Sequence, residues 1–138
     1  CRLDTKECFI AFSYGDKIPV RNLEYSTGGN AANNAVGTVR LGIKTGIVTT
    51  IGDDNISSLI YAKLAKEGVD MTYVFPQIET TSNFSTVINY SGERTIFTYH
   101  APRSYEFPAQ FPITPWIYLT SMGESFQPFQ SLQRGSIL

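Results

Sequence analysis

The residues with the clearest chemical promise run from Thr27 to Gly42, Thr-Gly-Gly-Asn-Ala-Ala-Asn-Asn-Ala-Val-Gly-Thr-Val-Arg-Leu-Gly. Gly28 and Gly29 permit backbone angles that other residues resist, and they let a ligand come close to the main chain. Asn30 is placed to be an N-cap. Ala32, Ala35, Val36 and Val39 then recur at helical spacing, and Gly42 is placed to close the helix. The pattern predicts a helix N-terminus with free N–H groups and the amides of Asn30 and Asn33 beside it, a combination suited to a polyol or an anion. Asn33 can donate and accept at once. A polyol presents several hydroxyls in fixed geometry, so recognition needs donors and acceptors that converge. The plain alternative is a loop-to-helix turn that binds nothing.

The elements that must position these groups follow in order. Thr45 to Ile51 is a short β-rich run that ends in Gly52-Asp53-Asp54. A second helix is expected from about Asn55 to Glu67, with Ile56, Leu59, Ile60 and Leu64 on one face and Gly68 as its cap. Val69 to Val74 begins another strand. From Thr81 to Tyr99 the chain reads as a β-hairpin turning at Ser91-Gly92. Arg94, Ile96, Thr98 and His100 fall on one face of the returning strand; Thr95, Phe97 and Tyr99 fall on the other. Arg94 could reach an acidic or phosphorylated substrate from there, or be part of an ordinary solvated Gly-Glu-Arg turn. Pro102, Pro108, Pro112 and Pro115 mark an extended connection rather than a helix interior. Trp116 to Thr120 is a candidate buried strand, and its end, Ser121-Met122-Gly123-Glu124, would carry Glu124 to the carboxyl edge of a sheet, where ligands bind in open α/β folds. The alternative for Glu124 is a surface carboxylate after a glycine.

A chain of 138 residues is long enough for one domain with a core. Hydrophobic residues make up 42% and charged residues 17%, a balance that favours a globular fold over disorder. The formal net charge of −1 gives no electrostatic reason to expect nucleic acid or an anionic membrane as partner. No apolar run approaches the ~20 residues of a membrane span, and no signal peptide is evident, so a cytoplasmic protein is expected. Cys1 and Cys8 lack the neighbours of a metal cluster, so no metal site is expected within this chain and the pair reads as reduced thiols. Asn-x-Ser sequons at Asn55, Asn83 and Asn89 would matter only in a secreted protein. Gly37 to Lys44 does not make a P-loop, because a residue intrudes between glycine and lysine and the run spans a helix end.

This order of pieces resembles the amino-terminal half of the ribokinase-like (PfkB) sugar kinases. The matching segments are Gly28-Gly29-Asn30-Ala31-Ala32-Asn33, Leu41-Gly42, Gly52-Asp53-Asp54 and Gly68-Val69-Asp70, within a resemblance from about Asp4 to Glu124. It implies an α/β fold: part of a Rossmann-type sheet with helices, at about 28–75 and 113–138, plus a small β-sheet lid with strands at about 6–25 and 81–100. It implies that Asp4, Gly28, Gly29, Asn30 and Asn33 bind a sugar or related polyol, with Arg94, Thr98 and Glu124 as further contacts from the lid and the late strand. Asp4 precedes the glycine pair by about the family's spacing. Asn30 stands where ribokinase itself carries lysine, which argues against ribose as the substrate. The resemblance also implies a homodimer formed through paired lids. Only Cys1-Arg2-Leu3 precedes Asp4, so most of the family's opening strand is expected to be missing.

The family's carboxyl-terminal half carries a Gly-Ala-Gly-Asp signature whose aspartate takes the proton from the sugar hydroxyl. That signature does not occur in this chain. ATP and Mg would be held mainly by that other half, so no catalytic residue is assigned here. The expected function is the substrate-binding and lid half of an ATP-dependent carbohydrate kinase, with this chain inactive by itself. The alternatives are a non-catalytic sugar-binding or dimerisation module and a β-rich interaction domain; the latter leaves the two capped helices unexplained.

Overall fold

The computed structural model describes residues 9–105 and 114–121. Among these residues two helices and four strands follow in the order α1 (Asn30–Arg40), β1 (Gly46–Gly52), α2 (Asn55–Lys66), β2 (Asp70–Gln77), β3 (Phe84–Tyr90) and β4 (Glu93–Tyr99). The fold is mixed α/β. β1 and β2 pair in parallel, and β3 and β4 form a separate antiparallel sheet. A parallel pair needs a crossover connection, and α2 supplies it.

Both helices end alike. After α1, Gly42 at φ 83 donates its N–H to the Val39 carbonyl, and the Ile43 N–H reaches the Thr38 carbonyl. After α2, the Gly68 N–H reaches Ala65 and the Val69 N–H reaches Leu64. This paired pattern satisfies carbonyls that the helix leaves open and places an apolar residue after the glycine against the last turn. Leu64 and Val69 are both buried there. The core comprises Ala35 from α1, Ile47 from β1, Leu64 from α2, Val69 just before β2 and Met71 within it. Leu64 is 1% exposed, so its side chain contributes about 1.5–3 kcal/mol of apolar burial.

The expected N-cap at Asn30 is displaced by one residue. Gly29 is the cap, at φ 89 and ψ 149, and Asn30 is the first helical residue. A cap must break helical geometry, and a positive φ costs glycine far less than asparagine. Asp54 caps α2, its carboxylate accepting from the Ser57 N–H at 2.8 Å.

The hairpin turns at Ser91-Gly92 as expected, with φ 51 and 84, the doubly left-handed pattern that matches strand twist. Its register pairs Phe84 with Tyr99 and Thr86 with Phe97 on one face. Ser85 with Thr98, Val87 with Ile96, and Asn89 with Arg94 share the other. Nearly every hairpin residue is exposed.

Two expected strand regions carry no strand in their described parts. Residues 9–25 show only a turn at Tyr14-Gly15, and 114–121 is not paired. A strand exists only with a ladder partner, and among the described residues neither segment has one. Trp116 accordingly stands 86% exposed rather than buried.

Candidate functional site

The amino end of α1 is open in the way its glycines require. A side chain built on Gly28 or Gly29 would meet nothing within 4 Å among the described residues. The first helical hydrogen bond runs from the Asn33 N–H to the Gly29 carbonyl at 3.0 Å. No acidic residue occupies the first turn, and among the described residues no side chain caps it, so the positive end of the helix dipole there meets no described carboxylate.

Asn30 meets a residue 91 positions away. Its Nδ2 donates to Ser121 Oγ at 3.0 Å. Ser121 sits at φ 53, in the left-handed region. The segment after Trp116 therefore arrives at the α1 N-terminus even though it is not a strand. Ser121 was legible only as the start of Ser-Met-Gly-Glu; its contact with Asn30 was not.

Asn33 is exposed and lines a hollow of about 320 Å³ with Thr27, Arg40, Lys63 and Glu67. Lys63 Nζ donates to the Tyr25 carbonyl at 3.3 Å. Arg40 and Glu67 form a two-point ion pair at 2.8 and 2.6 Å. The hydrogen bond and charge of Glu67 raise the Arg40 guanidinium above its ordinary value, and Arg40 holds the Glu67 carboxyl below its own. The lining is mixed, since Val36 and Gly37 also contribute, and the flanking cation at Arg40 is already paired with Glu67.

Arg94 and Thr98 share one face of β4, opposite Asn89 and Ser85. All four are exposed. They form a polar band broken by Val87 and Ile96, away from the Phe84, Phe97 and Tyr99 face. Asp4 and Glu124 lie outside the described residues. The α1 opening thus gathers Gly28, Gly29, Asn30 and Asn33, while Arg94 and Thr98 belong to a separate sheet.

Sequence reasoning missed the junction that roots that sheet. The Asp54 carboxylate accepts from Ser82 N at 2.7 Å and from Ser82 Oγ at 2.7 Å, besides capping α2. Burial by itself pushes the Asp54 carboxyl up, but the bonds from Ser82 and Ser57 outweigh it and hold it below the usual carboxylate range. Asp53 donates its N–H to Thr80 and accepts from the Glu79 N–H. Arg103 donates to the Thr50 carbonyl at 2.9 Å, the Thr81 carbonyl at 2.8 Å and Asn83 Oδ1 at 3.3 Å. The Gly-Asp-Asp run was the available signal for one side of this junction; nothing in the periodicity marked Arg103.

Asn30 and Asn33 both lie in the first turn of α1, Asn30 bonded to Ser121 and Asn33 beside the hollow. Among the described residues no group of three His, Cys, Asp or Glu side chains could hold a metal ion, and no helix is long and apolar enough to cross a membrane.

Residues 3–123 match the family described as pfkB family carbohydrate kinase. The chain is 34% identical over 108 residues to a fructokinase of Escherichia coli, covering 73% of this chain and 35% of that protein. The fold is similar to the crystal structure of an uncharacterized sugar kinase from Pyrococcus horikoshii in complex with ATP, with a TM-score of 0.54 and 29% identity over 62% of this chain and 28% of that one. A ribokinase from Cryptococcus neoformans var. grubii shares the fold at a TM-score of 0.56 and 22% identity, over 83% of this chain and 33% of that one. The chain spans about a third of the length of the fructokinases it matches.

Proposed function

The chain belongs to the pfkB family of carbohydrate kinases, and from that premise we propose that it is the substrate-binding and lid half of an ATP-dependent kinase for a sugar or related polyol hydroxyl. The observation that carries the reading is the α1 opening. There no described residue crowds the backbone at Gly28 and Gly29, and Asn30 is met by Ser121 from the far end of the described chain. Groups drawn from distant parts of a sequence onto one helix N-terminus are what polyol recognition needs.

In this reading the α1 N–H groups, Asn30 and Asn33 take the sugar hydroxyls, with Asp4 and Glu124 completing the site. The β3–β4 hairpin is the lid, and Arg94 and Thr98 contribute from its polar face. ATP is the phosphoryl donor, a choice supported by the Pyrococcus relative being in complex with ATP. ATP and Mg are assigned mainly to the carboxyl-terminal half of the family fold, and no chemical step is assigned within this chain. What this half does is bind the sugar, orient one hydroxyl and exclude water when the lid covers it. The aromatic face of the hairpin is the proposed homodimer surface, and a cytoplasmic location fits the absence of any disulfide-rich pattern in the sequence.

The test is sugar-dependent formation of ADP. The full-length protein that carries this chain should convert ATP to ADP with at least one member of a panel of ketoses, aldoses and polyols. The 138-residue chain alone should not, because it lacks a Gly-Ala-Gly-Asp segment. Turnover by the isolated chain, or none by the full-length protein across the panel, would overturn the reading.

A further inference from the structure

We propose that Asp54 and Arg103 are positioning residues that fix the root of the β3–β4 hairpin and thereby set how its polar face meets the sugar. The proposal rests on the reading above that the hairpin covers the substrate.

Three stretches meet at this root: the β1–α2 junction at 52–54, the entry to β3 at 79–83, and the exit from β4 at 100–104. A single peptide group lies at their centre. The carbonyl of Thr81 accepts from Arg103 Nη2, and the adjoining N–H of Ser82 donates to Asp54 Oδ2. Ser82 is 2% exposed, and its hydroxyl is satisfied by the same carboxylate. Arg103 also reaches back to the carbonyl of Thr50, itself buried on β1. Asn83 Oδ1 accepts from both Ala101 N and Arg103 Nε, tying entry to exit.

Gly52 completes the arrangement. A Cβ there would lie 2.4 Å from the Thr80 oxygen, 2.5 Å from the Ser82 nitrogen and 2.6 Å from the Thr81 carbonyl carbon. Chain 80–82 therefore runs directly against the Gly52 backbone, where no other residue leaves room.

The chemistry of the two side chains suits this task. The Arg103 contacts above are to carbonyl oxygens rather than carboxylates, so the guanidinium works as a rigid fork with several donors. Lysine, a single charge on a flexible stem, cannot reproduce that geometry. Asp54 is an acceptor only and takes three donors from two elements, Ser57 on α2 and Ser82 on the hairpin side. A two-stranded hairpin is at best marginally stable alone, and most of this one is exposed. Its attitude is therefore set at the root. Loosening the root leaves α1 and the phosphoryl-transfer half untouched but lets the lid wander from the sugar.

The test uses Arg103→Ala, Arg103→Lys and Asp54→Asn in the full-length protein. Asparagine is itself a good helix cap, so Asp54→Asn keeps α2 while weakening the grip on Ser82. Hydrogen exchange is read in peptides covering 79–83 and 101–104, and sugar and ATP kinetics are measured separately. Arg103→Ala is expected to speed root exchange at least tenfold and raise the KM for sugar about tenfold, with the KM for ATP and kcat within threefold. Arg103→Lys should recover only part of the loss. A merely destabilising substitution would instead lower the folded fraction, and so the apparent kcat, at constant KM.

Faster root exchange with an unchanged sugar KM in both Arg103→Ala and Asp54→Asn would overturn the positioning role. Unchanged root exchange would overturn the clasp itself, whatever the kinetics. A wild-type protein that phosphorylates no sugar would defeat the kinase reading, and with it the positioning role, while exchange would still decide whether the clasp exists.

Discussion

Asp54 and Arg103 hold opposite ends of one peptide group: the carboxylate takes the Ser82 N–H at 2.7 Å and the guanidinium the Thr81 carbonyl at 2.8 Å. A peptide dipole lying between an anion on its N–H side and a cation on its C=O side is aligned with both, so the two charges reinforce each other without touching. Because Asp54 also caps α2 and Arg103 also holds β1, the hairpin root is continuous with the parallel sheet.

The close approach at Gly52 makes the sharpest mutational prediction. Gly52→Ala would push a methyl into backbone atoms of 80–82, which have no flexible end to move aside. Overpacking of this kind costs about 1–3 kcal/mol. The urea midpoint of the full-length protein should fall accordingly. Gly37→Ala is the control: its added methyl meets nothing within 4 Å, it lies inside α1, and it should be neutral or stabilising. Equal midpoints for Gly52→Ala and wild type would show that the 80–82 crossing is not tightly seated.

Stability should rise with pH across the acid range. Asp54 is held low by Ser82 and Ser57 against the opposing effect of burial, and Asp70 is held low by the side chain and N–H of Thr72. Each carboxyl thus has a folded pKa below its unfolded value of about 4. The stability each contributes is fully present above that unfolded value and is lost as pH falls through the folded one. Urea midpoints between pH 6 and pH 2 should drop on acidification, and Asp54→Asn should flatten the slope. An unaltered slope in that variant would mean Asp54 is not held in its charged form by the fold.

The proposed sugar site predicts a binding loss without a folding loss. Asn33 is exposed, so Asn33→Ala removes a hydroxyl partner and no packing. Asp4→Ala removes a charged partner, for which the expected cost is about 1.5–3 kcal/mol. Calorimetric titration of the full-length variants with the preferred sugar should show weaker binding at an unchanged melting temperature. Wild-type affinity in both would place the sugar elsewhere.

The exposed aromatic face of the hairpin predicts self-association. Phe84, Phe97 and Tyr99 share it, and each is 42% exposed or more. Apolar side chains gathered on one sheet face favour a partner surface. Light scattering over a concentration series should report a dimer, and Phe97→Ser should shift it toward monomer while sparing the polar face that carries Arg94 and Thr98. A wild-type monomer at high concentration would remove the lid-pairing proposal.

The sequence by itself determined the local pieces. Spacing of Ala35, Val36, Val39 and Leu64 marked the helices, Gly42 and Gly68 marked their ends, and Ser91-Gly92 marked the hairpin turn. Each is a short-range effect, written in residues that touch neighbours three or four positions away or sit at a required backbone angle. The glycine and asparagine run at α1 was legible as a binding candidate for the same reason. Tertiary structure decided what depends on distant partners. Trp116 to Thr120 has a strand's composition, yet no ladder partner among the described residues and so no strand. Asn30 meets Ser121 across 91 positions, and Arg103 meets Thr50 across 53. No periodicity encodes such a pairing, because a hydrogen bond depends on where two groups lie in space, and only the folded chain brings Asp54 and Arg103 to the two ends of one peptide.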